Sequence, residues 1–458
     1  NDMNKTIRLI IPLMIILCAY SCEEKGSGMN ENPFENMEGS ALSVSYTNNA
    51  DSVKLNWQLT EDVDFDGFRV KDAAGKNDIS LPKDAVSCCL TRIPYNTPVR
   101  ISIEMLSGGK TVSETPVTVV IDGVDHVFGK NIIQDNSGVT AGDGMYSIAL
   151  PDGRSIFLMG DSYVGKVTEG RRSTSDHMYR NTYNVYDNGK TTALYAVNGG
   201  KSSAAVPPGV TNEGQKWYWP GHGYVVDDTL YIFQTLMYQG AEGAWGFMYE
   251  TTRILEYSLP DLKLKKDTAI PCHAPENVHY GMAAINDGDY QYIYAQVDIE
   301  NDWDPVTEVY VARTTVKDMY SKWEFYNGSG WSENSGSAVA MTGISSVAVS
   351  SQFNVFKLRD KYVLFTSAKN WDSRKVYTFI SDTPYGPWRN KKLIFELPAL
   401  AQKNWYSYNA MAHPQFERNG MILASYCVNT DNFSEQFSNV ASYRPIFYWL
   451  DIDTILKK

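Results

Sequence analysis

The stretch Gly142-Asp143-Gly144-Met145-Tyr146-Ser147-Ile148-Ala149-Leu150-Pro151-Asp152-Gly153-Arg154-Ser155-Ile156-Phe157-Leu158-Met159-Gly160-Asp161-Ser162-Tyr163 reads as two short strands. They join at Pro151-Asp152-Gly153, because a Pro-Asp-Gly turn separates two apolar runs of strand length. Antiparallel pairing folds the ends of such a hairpin together, so Asp143 at the start of one strand and Asp161 at the end of the other should meet. Two carboxylates held about 5 to 9.5 Å apart on a rigid sheet are what cleavage of a glycosidic bond requires, one as acid and the other as base or nucleophile. An aspartate beside a glycine is also an ordinary turn device. Recurrence of the hairpin along the chain favours the site.

The hairpin is echoed by Pro220-Gly221-His222-Gly223 leading to Leu230-Tyr231-Ile232-Phe233, and by Val278-His279-Tyr280-Gly281 leading to Gln291-Tyr292-Ile293-Tyr294. It returns as Ser350-Ser351-Gln352-Phe353-Asn354 with Tyr362-Val363-Leu364-Phe365, and as Ala412-His413-Pro414-Gln415-Phe416 with Met421-Ile422-Leu423-Ala424. Five copies, each about 60 to 80 residues long, fit the blades of a five-bladed β-propeller. The starts of the inner strands should then gather at one mouth, bringing together Asp143, His222, His279 or Tyr280, Gln352 and His413. By the same count Asp298 occupies the place of Asp161, which makes it a third candidate carboxylate, and Glu276 is a fourth. Trp219, with Trp245, Trp303, Trp371 and Trp405-Tyr406, could cover the mouth as a sugar platform, or serve only as packing.

Upstream of about residue 123 the spacing shortens. Segments such as Val53-Lys54-Leu55-Asn56-Trp57, Phe68-Arg69-Val70 and Val99-Arg100-Ile101-Ser102-Ile103 alternate and are parted by turn residues, as in a small β-sandwich. Over residues 40–122 this pattern resembles a fibronectin type III or immunoglobulin-like module with Trp57 at its core, and no chemistry is assigned to it. The whole chain is therefore expected to be all-β.

Lys5 and Arg8 precede an apolar run too short to span a membrane, as in an export signal. Ala19-Tyr20-Ser21-Cys22 after it resembles the lipobox of bacterial lipoproteins, and Glu23-Glu24-Lys25 resembles the sorting signal of surface lipoproteins. The resemblance implies removal of residues 1–21, lipidation of Cys22, a flexible tether over 22–39, and an outer-membrane, cell-surface location. Membrane contact is then expected only through that lipid. The net charge of −12 argues against nucleic acid, which needs a basic face. Aromatics make up 13% of the 458 residues, enough to offer flat faces to an oligo- or polysaccharide partner. Cys88, Cys89, Cys272 and Cys427 show no metal-site spacing and read as buried thiols. No cofactor or metal is expected; an axial calcium ion is compatible with such a fold but not indicated. A monomer is expected.

The GDG strand, the PDGR turn, the Leu158-Met159-Gly160-Asp161-Ser162 strand end and the closing Asn409-Ala410-Met411-Ala412-His413-Pro414-Gln415-Phe416 together resemble five-bladed propeller glycoside hydrolases acting on furanosides. The likeness is greatest to arabinan-cleaving and uncharacterised exported families, over about residues 125–458. It implies catalytic roles for the aspartates at 143 and 161, with Asp143 as base or nucleophile and Asp161 as acid or its pKa-setting partner. Two departures stand out: histidines begin the second and third copies, and no glutamate has an evident acid position. A glycan-binding propeller without catalysis is the alternative, and a structural module with a sealed apolar axis a third.

Overall fold

The computed structural model describes residues 32–36 and 40–457, apart from 273–277, 299–306, 345–348, 369–373 and 398–399. The expected Cys22, Glu276, Trp303 and Trp371 lie outside the described residues. The chain is all-β and divides into two compact units between Val127 and Phe128.

In the first unit two four-stranded sheets form among the described residues. One runs, in spatial order, Asn32–Asn36, Leu42–Asn49, Ser52–Leu59 and Ser87–Leu90; the other runs Asp78–Pro82, Gly67–Asp72, Val99–Ser107 and Lys110–Val119. Alternation dictates which side chains turn inward: Val53, Leu55 and Trp57 are buried between the more exposed Lys54, Asn56 and Gln58. The two inward sets share one core. Within it the Trp57 and Phe68 rings lie 5.3 Å apart, and the Trp57 indole N–H donates to Ala85 O at 2.9 Å. The stretch expected to be tether contributes the strand Asn32–Asn36, paired antiparallel with Leu42–Asn49. Pro33, Phe34 and Glu35 supply the extended run that a Gly/Asn/Ser reading overlooked.

The unit boundary falls later than the expected 122/123 for a similar local reason. Ala50 N donates to Val124 O at 2.7 Å, Asn49 Nδ2 donates to Asp125 Oδ1 at 3.0 Å, and His126 N donates to Asn49 Oδ1 at 2.8 Å. Two adjacent residues, Asn49 and Ala50, thus hold Val124 to His126 to the first unit. Cys88 and Cys427 are buried and Cys272 is partly buried.

In the second unit each echoed segment lies in a separate antiparallel sheet, numbered here in chain order. The first strands of these sheets are Tyr146–Ala149, Lys216–Val226, Val278–Asp287, Asn354–Leu358 and Trp405–Arg418. Each first strand contacts the first strand of the next sheet, and that of the fifth contacts that of the first, so the five close a cycle. Later strands of each sheet pair outward in sequence order. A short accessory sheet of Val139–Gly142, Ser162–Val164 and Met178–Tyr179 sits beside the first hairpin. Among the described residues no helix is long and apolar enough to cross a membrane.

Candidate active site

The hairpin pairs Tyr146 with Leu158 through to Ala149 with Ser155. Its turn is closed by Gly153 N donating to Leu150 O at 3.1 Å and by the Arg154–Asp152 ion pair at 2.6 Å. At the open end Gly160 N donates to Asp143 O at 2.8 Å, which brings the two aspartate-bearing ends together as expected. Glycine is required at 160, since a Cβ there would stand 2.7 Å from Asp143 Oδ1. Met145, fully buried, is held at φ +59° just after Asp143, the kind of backbone strain that tightly packed sites sustain.

Neighbouring sheets clasp the two carboxylates from either side. From the fifth sheet, Tyr408 OH donates to Asp143 Oδ2 at 2.6 Å; from the second, Trp219 Nε1 donates to Asp161 Oδ1 at 2.9 Å. Arg180, which directly follows the accessory strand Met178–Tyr179, reaches Asp161 Oδ2 through Nη1 at 3.3 Å. Its guanidinium also lies 4.1 Å from the centre of the Trp217 ring. Tyr443 OH donates to the main-chain oxygen of Asp161 at 2.8 Å.

These partners separate the two acids electrostatically. Burial, and then the charge of Asp161, push the Asp143 carboxyl up to about 7, against the pull of the Tyr408 and Tyr443 hydroxyls. Burial raises Asp161 as well, but the Arg180 cation and the Trp219 N–H oppose it. Among the described residues an acid with no cation beside it thus sits near an acid that has one, an arrangement that favours one protonated and one ionised partner near neutrality.

Both aspartates line a cavity of about 500 Å³, within the usual range for small-molecule sites, about 300–1,000 Å³. Aromatic rings form much of its wall: Trp219 meets Phe247 edge-on at 4.8 Å, and Trp245 lies 6.0 Å from Phe433. Trp245 and Phe433 remain 45% and 41% exposed, so apolar faces are presented to solvent at the opening. Gln352 also lines the cavity, and its buried Oε1 has no hydrogen-bond partner among the described residues.

The histidines depart from expectation. Register shifts fall between Pro220 and Gly223, between Tyr280 and Ala283, and between Tyr408 and Met411, so the bulge is the true repeat position. His222 lies inside its bulge, His279 before and His413 beyond theirs, and the three do not share one level. His413 is fully buried; its Nδ1 lies 2.7 Å from Ser147 Oγ and its Nε2 2.9 Å from Ser425 Oγ. His222 Nδ1 accepts from Ala284 N at 3.2 Å, so its Nε2 carries the hydrogen given to Ser147 O, also at 3.2 Å. Burial pushes His222 down to about 4 and His413 to about 3. His279 stacks on Tyr249 with ring centres 3.9 Å apart, and Tyr280 is buried in an apolar cluster. None of these four is among the residues lining the cavity. Asp298 ends the strand Tyr290–Asp298 opposite Thr307, and its side chain is outside what the structure describes.

Arg180, Tyr408 and Tyr443 escaped the sequence reading. Tyr408 could have been found, since it immediately precedes a bulge that recurs; Arg180 sits in a polar connection with no echo elsewhere. Among the described residues no group of three His, Cys, Asp or Glu side chains is placed to hold a metal.

Residues 125–451 match the profile of the family described as "Domain of unknown function (DUF5005)". A "putative hydrolase" from Bacteroides ovatus has a similar structure, with a TM-score of 0.59 and 22% identity over 71% of this chain and 89% of that one. More distant likenesses are to a levansucrase of Bacillus subtilis (TM-score 0.40, 14% identity, 70% and 84% covered) and to a family-43 endo-arabinanase of Bacillus licheniformis (TM-score 0.39, 11% identity, 68% and 96% covered). No curated protein matches the sequence.

Proposed function

The chain belongs to the family described as "Domain of unknown function (DUF5005)", and from the geometry of its cavity we propose that it hydrolyses glycosidic bonds in a polysaccharide, with a furanoside such as arabinan as the substrate class. The five sheets closed through their first strands are read as a five-bladed propeller, and the two sheets before them as a fibronectin III-like sandwich acting as spacer. One observation carries the reading: the two aspartates of a single hairpin line one aromatic-walled cavity, and among the described residues only Asp161 has a cation beside it.

The roles follow from those surroundings and reverse the expected ones. Asp143, raised to about 7, keeps a proton near neutrality and donates it to the departing sugar oxygen. Asp161, kept ionised by Arg180 and Trp219, acts as base or nucleophile on the other side of the bond. The aromatic walls position the sugar, and a water completes the hydrolysis at the anomeric carbon, deprotonated by Asp161 where it is the base, or by Asp143 once a glycosyl-enzyme has formed on Asp161.

The rival reading is a propeller that binds glycans without cleaving them. It draws on the cavity wall, where Asp143 and Asp161 are the only carboxylates among the described residues. Incubating the fragment from Glu31 with arabinan and a panel of other neutral polysaccharides decides between them. New reducing ends that disappear in Asp143→Asn support hydrolysis; tight binding with no new ends supports the rival.

We also place the protein on the cell surface as a monomer anchored by lipid on Cys22, as the small-residue box before that cysteine suggests. Cys22→Ser should release it from membranes. Wild-type protein carrying no lipid by mass spectrometry would remove this part of the reading.

A further inference from the structure

The bulge on the first strand of the fifth sheet carries an amide that the fold does not use. Register slips there between Tyr408 and Met411, and Asn409, inside the bulge, takes φ +49°. In the matching bulge of the third sheet the positive φ belongs to Gly281, at +95°, where a Cβ would stand 2.5 Å from that of Phe233. Glycine is the ordinary residue for such backbone, and asparagine tolerates it chiefly by bonding its own side chain to nearby main chain. Asn409 makes no such bond. Among the described residues its Oδ1 and Nδ2 have no partner, yet neither atom is sealed from solvent as Gln352 Oε1 is. The residue is only 8% exposed and lines the cavity of Asp143 and Asp161, so its opening leads there. Other amides of that wall are tied into the protein. Asn429 Nδ2 donates to Tyr408 OH at 3.4 Å and its Oδ1 accepts from Gln436 Nε2 at 2.8 Å, while Gln239 Nε2 donates to Ala241 O and Gly243 O, each at 2.7 Å.

We propose that Asn409 reads the substrate: its amide takes a pair of adjacent hydroxyls on one sugar, Oδ1 accepting from one and Nδ2 donating to the other. This rests on reading the cavity as a saccharide site. Asn409 directly follows Tyr408, whose hydroxyl is bonded to Asp143 at 2.6 Å, which sets the sugar it holds next to that acid. A donor and an acceptor side by side on one planar group match neighbouring hydroxyls of a neutral sugar. Glycine in its place would keep the strand and lose the grip. A site built to bond hydroxyls discriminates against an analogue that lacks one, because its own polar atoms are then left unpaired.

The test is calorimetric titration of the full chain with arabinotriose and with analogues lacking a single hydroxyl at C2 or C3 of one residue. In the wild type, removing either hydroxyl from the residue that Asn409 reads should weaken binding by about tenfold, the scale of one well-placed hydrogen bond. Asn409→Gly accommodates φ +49° and removes the amide. It should keep the wild-type thermal midpoint, bind arabinotriose about tenfold more weakly, and no longer distinguish it from those two analogues. An asparagine with only a structural role would move the midpoint and leave the discrimination intact. The proposal is overturned if the wild type binds every analogue as tightly as the parent, or if Asn409→Gly keeps the wild-type affinity or discrimination. The wild-type series decides alone if the variant does not fold. A wild type that binds no arabinotriose overturns the proposal together with the furanoside reading. Cleavage is measured separately in the same samples: discrimination without cleavage removes the hydrolase reading and leaves the role of Asn409 standing, whereas cleavage without discrimination removes the role and leaves the hydrolase.

Discussion

Tyr408, on the first strand of the fifth sheet, donates its hydroxyl to Asp143 at 2.6 Å, joining the end of the sheet cycle to its beginning at the acid itself. Closing the cycle therefore also completes the site. A hydrogen bond given to the ionised form lowers a carboxyl pKa, so Tyr408 holds Asp143 below where burial alone would place it.

Replacing that hydroxyl tests the link. Tyr408→Phe preserves the ring and should move Asp143 above its value of about 7, shifting the alkaline limb of the pH–rate profile upward. A limb that stays put or moves to lower pH would mean that Asp143 is not the proton donor.

Asp143→Asn separates chemistry from stability. Turnover should fall by about 10² to 10⁴, the usual worth of one general acid. Stability should change in the other direction above neutrality. The folded-state pKa of Asp143 is raised from 3.8 to about 7, so between those values the folded protein holds a proton that the unfolded chain has released. Stability then declines as pH rises through this window, and that loss is absent from the variant. Denaturation at pH 8 should find Asp143→Asn at least as stable as the wild type; a clear loss of stability would make the aspartate a structural turn residue.

The elements legible in the sequence were those fixed by local chemistry. The Pro151-Asp152-Gly153 turn determines the hairpin, and the hairpin places Asp143 and Asp161. Asn49 and Ala50, which hold Val124 to His126 to the first unit, and the bulges at Gly221, Gly281 and Asn409 depend on pairing with distant strands. A reading that counted from histidines therefore placed three of them at one level, when the bulges set different levels for each. Arg180 was hidden for a related reason: its role comes from an accessory sheet in which Met178–Tyr179 meets Ser162–Val164, a pairing that no periodicity announces.

The aromatic rim makes a separate prediction. Trp245 is 45% exposed and faces Phe433 across 6.0 Å, so removing it leaves no buried hole. Trp245→Ala should weaken polysaccharide binding by about 1 kcal/mol or more, the scale of a lost stacking contact, while changing stability by no more than about 0.5 kcal/mol. Unchanged affinity in a binding titration would place the sugar elsewhere.

The two histidines that contact Ser147 predict acid sensitivity of a specific form. His222 and His413 stay neutral down to about 4 and about 3 in the folded protein, against about 6.5 in an unfolded chain. Above that unfolded value both states are neutral and the contribution to stability is complete. As pH falls from about 6.5 toward 4 the unfolded chain takes up protons that the folded protein refuses. Each histidine then costs about 1.4 kcal/mol per pH unit. His222→Gln can still accept from Ala284 N and donate to Ser147 O, but it does not titrate. The stability difference between this variant and the wild type should therefore shift in favour of the variant by about that amount per unit below pH 6, whatever its offset at pH 7. Taking the difference cancels the opposite slope contributed by Asp143, which both proteins retain. Urea denaturation at pH 5, 6 and 7 measures it. A pH-independent difference, or an imidazole resonance of His222 titrating near 6.5, would show that the ring is exposed and charged, and that the Ser147 link between the first, second and fifth sheets is not the sealed contact described here.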